Sequence, residues 1–232
     1  KITSNTILKY LVILILVFSI NKNLLAQQIS VDLELVLAVD VSSSVDEEEY
    51  QLQVRGIAAA FRHPDVVAAI QTSGGNGIAV AMIQWSDNEE QSLVGGWRVI
   101  KDNADAAEYA RIIRRSPRTI PGGQTSIAGV LSFAIEQIEN NNFKSSRRVI
   151  DVSGDGRSNN GLHPMSIRDH AIENNITING LVILNEEPFL GGYFERSVIG
   201  GSGAFMMVAE DYRDYAAMIL QKLLREIGLP VS

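Results

Sequence analysis

The sequence predicts an α/β domain with a mostly parallel sheet, and three observations carry that reading. Short apolar runs alternate with segments of helical period along the whole chain after residue 28. Residues 33–39 form an almost unbroken apolar run, the pattern of a strand buried on both sheet faces. Finally, nothing interrupts the alternation: there is no internal repeat, low-complexity tract or proline-rich linker to mark a second domain.

The expected elements follow in order. Residues 32–40 read as a central parallel strand, and residues 46–62 as a helix in which Tyr50, Val54, Ile57, Ala58 and Phe61 recur every three or four positions, with Pro64 closing it. Strands at 77–86 and 91–100 are separated by only Asp87-Asn88-Glu89-Glu90, a connection that permits nothing but an antiparallel hairpin, with the second strand at an edge. Helices at 103–115 and 126–139 flank the loop Pro121-Gly122-Gly123-Gln124-Thr125, and a strand at 147–153 leads into Gly154-Asp155-Gly156. A helix at 164–173, a strand at 176–184, a short helix at 193–198, a strand at 204–208 and a final helix at 211–227 make six strands and about six helices.

Residues 1–26 stand apart from this pattern. Lys1 and Lys9 precede an apolar run from Tyr10 to Ile20, and Leu24-Leu25-Ala26 follows, which is the layout of a secretory signal peptide cleaved after Ala26. The run is shorter than the roughly 20 residues of a membrane span. The expected division is therefore a signal peptide over 1–26 and one domain over 27–232, exported to the periplasm or secreted, with membrane attachment only if the first segment stays uncleaved.

Composition excludes several function classes. The chain of 232 residues is 46% hydrophobic and 20% charged, which suits one packed domain, and its net charge is −7. The leader holds three lysines and no acid, so the remainder is more acidic still, and nucleic acid is not an expected partner. Absence of cysteine removes disulfides, thiol nucleophiles and thiolate zinc sites together. The cluster Arg111, Arg114, Arg115 and Arg118 reads as one solvated helix face.

Chemistry concentrates at strand ends. Asp40, Ser42 and Ser44 follow the first strand, and their spacing of two can gather one carboxylate and two hydroxyls around a point. Hard oxygen donors of this kind suit Mg²⁺ or Mn²⁺ better than Ca²⁺. The same residues also read as a helix start, since Ser44 with Glu47 matches a capping box, and Thr125 before a helix matches an N-cap. Asp155, at the end of another apolar strand, adds a second carboxylate that a shared cation would explain. Asp151 lies within that strand and reads as a buried carboxylate with hydrogen-bond partners. Asn159 and Asn160 fall near the same end and read equally as rim contacts or turn residues, whereas Trp85 reads as packing and His163 as a loop residue without a ligand role.

In this order, Asp-x-Ser-x-Ser, Gly-Gly-x-Thr and Ser-Gly-Asp-Gly resemble the metal-ion-dependent adhesion site of von Willebrand factor A domains. The stretch from Arg147 to Gly156 with Asn159-Asn160 further resembles a bacterial exported branch catalogued as a domain of unknown function. The resemblance implies a three-layer, doubly wound fold with strand order 3-2-1-4-5-6 and the third strand antiparallel. It implies metal ligation by Asp40, Ser42, Ser44, Thr125 and Asp155, the hydroxyls binding directly and the two carboxylates mostly through water. The implied function is an exported binding module whose Mg²⁺ or Mn²⁺ is completed by an Asp or Glu of a protein or peptide partner, with no catalytic residue. A metal-assisted phosphohydrolase using Asp40 is the alternative. It would ordinarily need a second acid where Ser42 stands and a lysine between residues 153 and 161, and this chain has neither. A membrane-anchored assembly component with a structural metal is the other.

Overall fold

The computed structural model describes residues 28–185 and 187–228; the expected leader, residues 1–26, lies outside them. In chain order the strands are β1 (Ile29–Ser30), β2 (Leu33–Asp40), β3 (Ile78–Trp85), β4 (Gln91–Ile100), β5 (Phe143–Lys144), β6 (Arg148–Gly154), β7 (Ile176–Ile183) and β8 (Met206–Ala209). The helices are α1 (Glu47–Phe61), α2 (Pro64–Thr72), α3 (Asn103–Arg114), α4 (Ile127–Glu139), α5 (Pro164–Glu173), α6 (Leu190–Ser197) and α7 (Tyr215–Ile227).

All eight residues of β2 are buried, as its unbroken apolar run requires of a strand covered on both faces. It lies inside a six-stranded sheet ordered β4-β3-β2-β6-β7-β8. Only the β3–β4 pair is antiparallel, so the short acidic connection is indeed a hairpin, and β4 is an edge. Counting the strands of this sheet alone, the order is the one the resemblance implied. Sequence neighbours β2 and β3 run one way across the sheet and β6, β7, β8 the other, so β2 and β6 meet at the switch point where open α/β sheets gather ligands at their carboxyl ends.

Alternation along β2 builds the other two layers. Leu33, Leu35, Leu37 and Val39 belong to a core shared with α1, α2, α3 and α7. Val36 and Ala38 point the opposite way into a core filled by Ile127, Val130 and Leu131 of α4 together with Phe194 of α6.

Several boundaries differ from expectation. Pro64 does not merely close α1 but opens α2, where a missing N–H costs nothing and His63 accepts from the Asp65 N–H. The small parallel pair β1–β5 escaped the sequence reading because two residues carry no period. Residues 211–214 form a turn, and the last helix begins at Tyr215. In the hairpin, Gly95 and Gly96 take φ of 67° and 70° opposite the register shift between Val80 and Met82, a bulge that a side chain would strain. Among the described residues no helix is long and apolar enough to cross a membrane.

Candidate metal centre

β2 ends in Asp40 and β6 in Gly154, side by side and parallel, which brings Asp40 and Asp155 to one end of the switch point. The chain turns sharply after Asp40, and the Ser42 N–H donates to Asp40 Oδ1 at 2.8 Å. The Ser42 and Ser44 hydroxyls lie 3.2 Å apart, and Ser44 Oγ donates to Asp155 Oδ1 at 2.8 Å. Four of the five expected residues are thus joined through their side chains or the Ser42 backbone.

Thr125 arrives on its own loop, held from both sides. Ser43 N–H donates to the Gly123 carbonyl at 3.0 Å, the Thr125 N–H donates to Asn159 Oδ1 at 2.8 Å, and the Asn159 N–H returns a bond to the Thr125 carbonyl at 2.9 Å. Asn159 therefore braces this loop, while Asn160 donates to Asp87.

Both capping readings are overturned by their neighbours. The capping box that starts α1 is formed by Asp46 and Glu49, with reciprocal bonds of 2.8 and 2.9 Å, and not by Ser44 and Glu47. The N-cap of α4 is Ser126, whose hydroxyl accepts from Gly129, and not Thr125. The hydroxyls of Ser44 and Thr125 are therefore free of helix-starting duty. His163, in contrast, does cap a helix, accepting from the Met165 N–H ahead of α5.

The electrostatics are those of an acid pair out of water. Asp40 is fully buried, and its Oδ2 has no hydrogen-bond partner. Burial first, and then the charge of Asp155, push its carboxyl up to about 7, against the bonds from Ser42. A side chain at position 154 would put Cβ 3.0 Å from that same Oδ2, so Gly154 keeps its surroundings open. Asp155 is 2% exposed and accepts from the Tyr212 hydroxyl at 3.0 Å. Burial, with the charges of Asp155 and Asp40, pushes the Tyr212 phenol far up, so it stays a donor at every physiological pH. Trp85 is buried beside Gly154 and serves as packing.

Arg118 lies apart from the solvated helix face to which the sequence assigned it. Its guanidinium donates to the carbonyls of Val41, Ser42 and Val45, and Gln53 donates to the carbonyl of Asp40, so the Asp40–Val45 loop is pinned through its backbone. Neither the pinning role of Arg118 nor that of Tyr212 could be read from the sequence, because each acts on residues more than fifty positions away. Among the described residues no three His, Cys, Asp or Glu side chains converge as a metal cluster. Two carboxylates with the Ser42 and Ser44 hydroxyls beside them form a different donor set, one that suits a hard divalent ion.

A family model spans this entire fold. The chain belongs to DUF1194, described as a protein of unknown function, matched over residues 30–231. No curated protein matches it. Solved structures share its fold at low identity. One is proximal thread matrix protein 1 from the mussel byssus, with a zinc-occupied MIDAS motif: 16% identity, 87% of this chain and 49% of that one covered, TM-score 0.58. Another is a von Willebrand factor type A protein from Catenulispora acidiphila: 16% identity, 88% and 44% covered, TM-score 0.59. A third is the vWF domain of the pilus tip protein Mfa5 from Porphyromonas gingivalis: 11% identity, 87% and 98% covered, TM-score 0.58. This DUF1194 chain therefore has the von Willebrand factor A fold, and it spans about half the length of the first two proteins.

Proposed function

We propose that the chain is an exported protein-binding module built around one divalent cation, Mg²⁺ or Mn²⁺, held by Asp40, Ser42, Ser44, Thr125 and Asp155. One observation carries the reading: a fully buried Asp40 with an unpartnered oxygen stands next to Asp155, and the Ser42 and Ser44 hydroxyls beside the pair serve no helix cap. An unpaired buried carboxylate is costly, and a cation removes that cost. An ion held mainly by neutral hydroxyls stays electrophilic, and a carboxylate from a partner protein can complete its shell.

Zinc in the MIDAS motif of the mussel byssus protein supports a divalent ion at this end of the fold, and the pilus tip protein supports an exported, surface-acting role. Burial also speaks against the phosphohydrolase alternative, since an Asp40 nucleophile with no exposed surface has no line of attack on a phosphate.

The experiment is thermal denaturation under titration with Mg²⁺, Mn²⁺ and Ca²⁺, for the wild type and for Asp155→Ala and Ser42→Ala. An ion bound only by the folded state should add about 2.7 kcal/mol at a hundredfold excess over its Kd. That gain should shrink or vanish in the variants, and equal gains in all three proteins would end the proposal.

A further inference from the structure

α1 and α3 pack antiparallel on the same side of the sheet. Near the start of α1, Tyr50 donates to the carbonyl of Ser116 just past the end of α3, at 3.1 Å. Near the other end, the ring of Phe61 meets that of Tyr109 edge-on at 4.8 Å. Outside this contact runs a groove of about 980 Å³. Alanines floor it, among them the buried Ala58 and Ala110, and Arg55, Arg62, Arg111, Arg114 and Arg115 line its walls.

No acidic residue lines the groove, although the chain carries a net charge of −7. Arg111 is paired with Glu108 at 2.5 Å. Among the described residues, the other four guanidinium groups make no hydrogen bond or ion pair. Complementing helix ends accounts for part of this, because Arg114 and Arg115 end α3 and Arg62 caps the end of α1. Arg55 sits mid-helix and has no such reason. Like charges facing one another across a cleft cost stability unless something negative comes between them.

We infer that this groove docks an acidic polypeptide segment, its Asp and Glu carboxylates taken by the arginines. A guanidinium offers two parallel N–H donors that match a carboxylate, and the four that are not engaged by Glu108 can read several carboxylates in succession. The alanine floor lets a main chain lie low between the walls. A flat anionic bilayer could not follow this recess, and an extended polyanion would meet the negative remainder of the surface. A short segment feels little beyond the arginines, since charges farther off than about 8 Å are screened at physiological salt. The inference does not rest on the ion proposed above.

Fluorescence anisotropy of a labelled oligoglutamate peptide with the full chain, in chelator and at physiological ionic strength, tests it. The wild type should bind, and Arg55→Glu combined with Arg114→Glu should weaken binding about tenfold or more. The control Lys101→Glu with Lys144→Glu changes net charge equally at exposed sites outside the groove and should bind as the wild type does. All four substitutions are at exposed positions, and circular dichroism with melting curves will verify that each variant folds. Equal loss in the control would overturn the inference, as would no binding by the wild type. So would peptide binding that needs Mg²⁺, or phosphatidylserine vesicles being bound where the peptide is not.

Discussion

At the scale of single residues, the candidate centre depends on how two carboxylates are kept close together without water. Tyr212 does part of this by donating to Asp155 Oδ2 at 3.0 Å, which fixes that carboxylate while its other oxygen accepts from Ser44. Tyr212→Phe should therefore cost on the order of 1 kcal/mol in ion-free protein, the net worth of such a bond. It should also weaken Mg²⁺ binding several-fold, read as a smaller rise in melting temperature at fixed Mg²⁺; an unchanged rise would leave Tyr212 a packing residue. Gly154 acts by what it lacks. Gly154→Ala puts a methyl 3.0 Å from Asp40 Oδ2 and 3.6 Å from the Trp85 ring, so overpacking of about 1–3 kcal/mol is expected in chemical denaturation. The five expected site residues were legible because each stands at a strand end or loop in a recognisable spacing. Tyr212 and Arg118 were not, since a hydrogen bond across 57 or 76 positions leaves no local pattern.

At the scale of elements, α7 is fastened to the sheet by buried charge. Lys222, with no exposed surface, lies 2.7 Å from Asp151 Oδ1 on β6 and 2.5 Å from Glu226 Oε1, and Glu226 also accepts from Asn179 on β7 at 2.8 Å. The sequence showed Asp151 as a buried carboxylate but not its partner, because a lysine in an amphipathic helix reads as solvated. Removing that lysine leaves two carboxylates out of water, so Lys222→Met should cost about 3–5 kcal/mol. Burial and the neighbouring Glu226 carboxylate push Asp151 up to about 7 despite Lys222. Its folded value thus lies above the ordinary 3.8. The folded state then binds more protons than the unfolded chain, and stability falls as pH rises from about 4 to about 7. Asp151→Asn removes this term, on the order of a few kcal/mol, and should flatten the pH profile of urea midpoints in that window. Asp40 titrates in the same direction and remains in the variant, so some slope should persist. An undiminished slope would mean that Asp151 is not the group responsible.

At the scale of the whole molecule, fold class, hairpin and element order could be read from periodicity and connection length, because these are local properties. The adjacency of β2 and β6, on which the candidate centre depends, came only from the resemblance to a family, since no local pattern says which parallel strands pair. The arginine groove shows the same limit: one helix contributes three of its arginines and another contributes two, and helical period describes each helix alone. The expected boundary between a leader over residues 1–26 and the domain belongs to this scale too. β1 begins at Ile29, where the Ile29 N–H donates to the Asn142 carbonyl at 2.8 Å and the Val31 N–H to the Lys144 carbonyl at 3.1 Å. Each of these bonds lies beyond Ala26, so cleavage there would leave them in place. Protein recovered from an exporting cell is accordingly expected to begin at Gln27, by mass and N-terminal sequencing. It should melt at the same temperature as residues 27–232 produced without a leader. Recovery with residues 1–26 still attached, in the membrane fraction, would instead make the first segment an anchor and the module a surface-tethered one.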